Sequence, residues 1–141
     1  MKKIIKTAKY LTVEVVYRLG VFSLIHFLNR KKITILTTHS IMSESTKSTW
    51  IPIRHQLAPE VLDETLGKLK AHYTFLTFEE AVKIIAGELP PVRNGLAITM
   101  DDGYENNITH GLPIFQKHGI KPILFVATGH VDEQKNFWFD L

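Results

Sequence analysis

The sequence predicts an α/β protein built on a mostly parallel sheet. Two observations carry this. Short apolar or β-branched runs alternate with segments of helical period, and connections of that kind favour parallel strands with helices on their faces. In addition, the apolar run Val92 to Met100 ends abruptly in Asp101-Asp102-Gly103, as a buried strand does where it leaves a sheet. Sites in such folds sit at the carboxyl ends of strands, where rigid backbone aims side chains into a crevice.

Taken in order, Lys3 to Asn29 reads as helix. Ile4, Ala8, Leu11, Val15, Leu19, Phe22 and His26 recur at steps of three and four and form one apolar stripe. Glu14 and Arg18 are spaced as an i,i+4 ion pair, and Gly20 is placed to divide the segment in two. The longest apolar run, Leu19 to Leu28, is about half of the ~20 residues a spanning helix needs. Glu14 and Arg18 also spoil a signal-peptide core, and no small-residue cleavage site follows. The segment therefore suits either a helix packed on its own domain or one lying in a membrane interface.

Ile33 to Thr38 is the first expected strand, with His39 at its end. Ser40 to Arg54 reads as loop, anchored by Trp50 and Ile53. Pro59 to His72 is a helix with proline in its first turn and an inner stripe of Leu62, Leu66 and Leu69. Its acids come early and its bases late, as the helix dipole favours. Tyr73 to Leu76 is a short strand. Thr77 and Glu80 are spaced as a capping box for the next helix, which stops near Gly87. After the Asp-Asp strand, Glu105 to Ile108 reads as loop. Pro113 cannot sit deep in a helix, so the next helix is expected from Thr109 to His118, capped by Gly119. Ile120 to Ala127 completes the strand set, closed by Thr128-Gly129-His130.

The chain has 141 residues, enough for one core, and lacks cysteine, which excludes disulfides and thiolate metal sites. Its net charge of +3 is unevenly spread: through Lys32 there are eight Lys/Arg and one Glu, a net of +7, and the remainder is −4. The basic balance belongs to the first segment, which argues for a membrane surface at least as well as for nucleic acid, and no nucleic-acid motif is present.

Asp101 and Asp102 repel each other unless a cation or shared proton lies between them, and Gly103 permits a sharp turn. The same three residues also suit a plain polar turn. Thr99-Met100-Asp101-Asp102-Gly103-Tyr104 resembles the Thr-Phe-Asp-Asp-Gly motif of the polysaccharide deacetylases, the NodB-homology carbohydrate esterases. Leu112-Pro113-Ile114-Phe115, Gly119 to Val126 and Phe137-Trp138-Phe139-Asp140 resemble later segments of that family, and Ile33 to Ile41 its opening strand. Met100 replaces the usual phenylalanine in the same apolar role.

The resemblance implies an incomplete (β/α) barrel of the NodB type. Residues 1–32 would form a basic amphipathic segment before it and 33–141 the N-terminal part of the deacetylase domain. It implies hydrolysis of a carbon–nitrogen bond, the removal of acetyl groups from the N-acetylated sugars of a polysaccharide. Asp101 would be the general base and Asp102 a ligand of a divalent metal, zinc first, with cobalt, nickel or manganese as alternatives. His39, Gly103 and Tyr104 would line the site, although a histidine at His39 also suits a purely structural role. The family's His-Ser/Thr-x-x-His-Pro metal motif is missing, since no pair of the seven histidines has that spacing. The sequence thus reads as the first portion of such an enzyme, inactive alone, with the metal expected only in a complete domain. The alternative is a non-catalytic or membrane-associated accessory domain on the same scaffold. A phosphoryl-transfer receiver domain fits less well, because it needs a separate phospho-acceptor aspartate and a later lysine. Expected partners are a polysaccharide and, through residues 3–29, a membrane surface, with a cytoplasmic or peripheral-membrane location.

Overall fold

The computed structural model describes residues 14–42 and 57–133. Residues 3–13 of the first expected helix, the anchors Trp50 and Ile53, and Phe137 to Asp140 lie outside the described residues. Four parallel strands form one sheet: β1 (Ile33–Thr38), β2 (Thr74–Phe75), β3 (Gly95–Met100) and β4 (Ile123–Leu124). The helices are α1 (Val21–Leu28), α2 (Pro59–Lys70), α3 (Phe78–Ile85), α4 (Leu112–Lys117) and α5 (Thr128–Glu133), with a π-helical turn, Asn107–Gly111, running into α4.

β3 is the centre of the sheet. β1 pairs with it along its whole length, from Ile33 opposite Gly95 to Thr38 opposite Met100. β2 pairs with Gly95 and Leu96, and β4 with Thr99 and Met100. All six residues of β3 are buried, as expected of a strand covered on both faces. Leu96, Ile98 and Met100 alternate onto one face, where they meet Leu62 and Leu66 of α2, Phe115 of α4, Ile120 and Ile41. Ala97 points the other way, into a smaller cluster with Leu76 and Ala81 of α3.

Several boundaries differ from the sequence reading. β3 begins at Gly95 rather than Val92, because Asn94 turns left-handed (φ 52°) and its N–H is taken by the Arg30 carbonyl at 2.8 Å. The last strand shrinks to Ile123–Leu124, where it can reach the end of β3. Ile41, expected in a loop, is fully buried and bridges to Leu57. Glu105 to Ile108, expected as loop, is helical. The reasoning from Pro113 fails there because the turn before it is widened: the Leu112 N–H reaches the Asn107 carbonyl, five residues back, and the proline ring is spared the usual clash. Gly111 belongs to that turn, and a Cβ on it would lie 2.4 Å from Ile41 Cδ1.

Elsewhere the local signals hold. α2 starts at Pro59 with Leu62 and Leu66 buried and Leu69 packed beside them. The capping box is complete: the Glu80 N–H donates to Thr77 Oγ1 at 3.2 Å, and the Thr77 N–H donates to Glu80 Oε2 at 2.8 Å. Gly20, left-handed at φ 71°, divides the first helical segment. The Glu14–Arg18 pair forms at 2.9 Å. No residue of α1 is buried.

Candidate active site

The site lies where β1 and β3 end together. The register that pairs Thr38 with Met100 brings His39 and Asp101 side by side just beyond the sheet. Asp101 is held by its backbone, its N–H donating to the Thr38 carbonyl at 2.9 Å. Its side chain is different: Oδ1 is buried and accepts no hydrogen bond. A buried carboxylate oxygen left without a donor is costly, so its persistence in a fold marks a group meant to meet something else.

Asp102 and Gly103 follow with left-handed backbone, φ 73° and 81°. Aspartate tolerates this region better than most residues, and glycine freely. Gly103 has a second reason to be glycine, since a Cβ there would lie 3.0 Å from Val126 Cγ1 beyond β4. Two left-handed residues in succession swing the chain off the strand, and the helical segment starting at Glu105 returns alongside it. Tyr104 closes the turn, with its carbonyl accepting from the Asn107 N–H at 3.0 Å.

The residues that tie this end together are two asparagines that the sequence reading passed over as loop. Asn107 is fully buried, and its Nδ2 donates to the carbonyls of His39 (3.0 Å) and Asp101 (3.4 Å). Asn106 donates from Nδ2 to Ser40 Oγ at 2.7 Å and accepts from the Ile41 N–H at 3.4 Å. Together they clamp the end of β1 to the end of β3. The Asn107 Oδ1 is a second buried acceptor without a donor. The one sequence signal for this clamp is a pair of amide side chains five and six positions after Asp101. The π-turn that aims them inward has no recognisable sequence mark.

The structure thus brings Asp101, Asp102, Gly103 and Tyr104 to one strand end and the His39 backbone to the same point. Among the described residues, no group of three or more His, Asp or Glu stands close enough to hold a metal ion. The described carboxylates therefore do not make a metal site by themselves, since zinc takes about four ligands.

Comparison with known proteins sets this strand end in context. Residues 89–138 match the family model described as polysaccharide deacetylase, a segment that includes Asp101, Asp102 and the asparagine pair. No curated protein matches the chain. The fold is similar to the solved structure of IcaB from Ammonifex degensii, at 23% identity and a TM-score of 0.61, over 70% of this chain and 39% of that one. It is likewise similar to a de-N-acetylase from Aggregatibacter actinomycetemcomitans, at 16% identity and a TM-score of 0.62, over 71% of this chain and 39% of that one. The Streptococcus pyogenes deacetylase PplD, solved in complex with acetate, matches at 25% identity and a TM-score of 0.58, over 77% of this chain and 47% of that one. The chain spans less than half the length of these structures. Residues 89–138 thus resemble the polysaccharide deacetylases in sequence, and the chain resembles deacetylase structures in fold.

Proposed function

We propose that this strand end supplies the carboxylates of a hydrolase that removes acetyl groups from the N-acetylated sugars of a polysaccharide. The observation that carries the reading is the buried, unsatisfied Asp101 Oδ1 at the end of the central strand, inside the segment that matches the family. Amide hydrolysis adds water across the acetyl carbon–nitrogen bond, releasing acetate and the sugar amine. Asp101 is suited to take the proton of the attacking water, because its backbone is fixed on both sides while one carboxylate oxygen is uncommitted. Asn107 and the Asp102-Gly103 turn hold that carboxylate in place rather than react. In the fuller reading the sheet is the start of a NodB-type (β/α) barrel, Asp102 is one ligand of a divalent metal, and His39 and Tyr104 line the substrate groove. Two carboxylates fall short of a zinc coordination set, so further donors would have to come from outside the described residues, and little turnover is expected without them. A non-catalytic domain on the same scaffold is the second reading.

Acetate release from chitooligosaccharide or poly-N-acetylglucosamine, with zinc or cobalt added, together with zinc titration by calorimetry, tests these readings. Asp101→Asn should retain whatever metal binds and lose on the order of 10²–10⁴-fold in rate, the range of a general base. Asp102→Ala should lose both metal and activity. A folded protein that binds no zinc and releases no acetate under any condition rejects the enzymatic reading in favour of the second. Turnover undiminished in Asp101→Asn rejects the role given to Asp101.

A further inference from the structure

We propose that α1 docks in the plane of an anionic lipid surface, at the opposite end of the sheet from Asp101. Six of its eight residues are large and apolar (Val21, Phe22, Leu24, Ile25, Phe27 and Leu28), and all six are exposed, from 37% for Val21 to 66% for Leu28. Single exposed apolar residues are ordinary on a protein surface, but a contiguous helix of them is a docking face.

The helix is held in position. The His26 ring stands edge-on to Tyr73 at 5.1 Å, and the Arg30 carbonyl, two residues past the helix end, accepts from the Asn94 N–H at 2.8 Å. Both contacts lie at the amino ends of β2 and β3, so α1 sits beneath the sheet and leaves the carboxyl ends free.

Charge decides what the face meets. Between α1 and the sheet is an open cavity of about 900 Å³ that Phe22, Ile25 and Phe27 also line, and among the described residues its lining includes Arg30, Lys32 and Arg93 but no aspartate or glutamate. The Arg30 guanidinium lies over the Phe27 ring at 3.8 Å and donates from Nη1 to the Phe27 carbonyl at 2.8 Å, so a cation is fixed against the apolar surface of the helix. Lys31 is exposed beside it. Apolar side chains flanked by cations match acyl chains below a layer of phosphates. A second copy of the chain matches poorly, because an isologous contact would set Arg30, Lys31 and Lys32 of one copy against the same residues of the other. At about 1.5 Å per residue α1 reaches some 12 Å, against a hydrocarbon core of about 30 Å, so it lies in the interface and does not cross it. Consistently, no described helix is long and apolar enough to span a membrane.

The experiment is cosedimentation of the full 141-residue chain with vesicles of neutral phosphatidylcholine and with vesicles containing phosphatidylglycerol, at low and high salt. Binding is expected to the anionic vesicles only and should weaken with salt. Replacing Arg30, Lys31 and Lys32 together by glutamine should weaken it on the order of a hundredfold. Leu24→Glu with Leu28→Glu should abolish it, and both side chains are exposed enough for the fold to remain, which circular dichroism checks. Equal binding to both vesicle types, no binding to either, or binding indifferent to both variants overturns the proposal. So does a concentration-dependent dimer that the Leu24/Leu28 variant disrupts in the absence of vesicle binding, which would give the face to a second copy. None of these outcomes depends on acetate release.

Discussion

Asn107 is the residue on which the geometry of the strand ends turns. It is fully buried, and one side-chain amide serves the carbonyls after β1 and β3. Asn107→Ala leaves both carbonyls without that donor, so a loss of about 1–3 kcal/mol is expected in chemical denaturation. A loss below about 0.5 kcal/mol would mean that water replaces the amide without penalty. Asn107→Asp keeps the shape but removes the donor and sets a third carboxylate near Asp101, and should cost at least as much. Gly103 offers a second test. Its φ of 81° and the 3.0 Å approach of Val126 to a Cβ both oppose a side chain. Gly103→Ala should therefore destabilise by about 1–3 kcal/mol, read as a shift in the denaturation midpoint. The aspartate pair, the glycine and the histidine could be placed at strand ends from the sequence, because each follows directly on an apolar or β-branched run. The asparagines were not, since asparagine is also the commonplace residue of a loop.

Among the elements, α2 and α4 are tied by a polar contact at the edge of the main core. Asp63 accepts from Lys117 Nζ at 2.6 Å through one oxygen and lies 2.6 Å from His118 Nε2 through the other. The Lys117 hydrogen bond, then that of His118, holds the Asp63 carboxyl below its ordinary value of 3.8. A carboxyl lowered in the folded state stabilises the fold above its unfolded-state value and stops doing so as pH falls through the lowered one. Below about pH 5 the stability difference between the native chain and Asp63→Asn should therefore shrink as pH falls past 3.8, and vanish in stronger acid. A difference that instead grew on acidification would contradict this. The Thr77–Glu80 capping box behaves as its spacing implies, and Thr77→Ala should cost about 1 kcal/mol in thermal or chemical unfolding. Caps and inner leucine stripes are readable because they depend on residues within one turn of each other. The Asp63–His118 contact joins positions far apart in the chain, and only packing reveals it.

At the scale of the molecule, the sheet has a well-covered centre and one bare flank. β3 is wholly buried, whereas Ile35 and Leu36 of β1 are 50% and 41% exposed on opposite faces. Among the described residues β1 pairs only with β3, so its outer edge offers unpaired backbone groups to another chain. β4 is only two residues long, so β1, with six, presents the longer edge. Self-association of the chain is therefore expected in light scattering, and Ile35→Lys should reduce it by placing a charge on the edge. Unchanged association in that variant would move the contact away from this edge.

What the sequence determined by itself was the alternation of strands and helices, the starts of α2 and α3, and the carboxylate pair at the end of a buried strand. Each follows from periodicity, caps or composition within about ten residues, where local physics dominates. Tertiary structure alone decided that β3 lies between β1 and β2, because strand order depends on which faces are buried together. It also decided that Ile41 is core rather than loop, and that the chain after Tyr104 coils through a π-turn. That turn lets Gly111 approach Ile41 closely, accommodates Pro113, and points Asn107 at two carbonyls at once. No local preference encodes it, because its stabilisation comes from β1 and β3, the strands it joins.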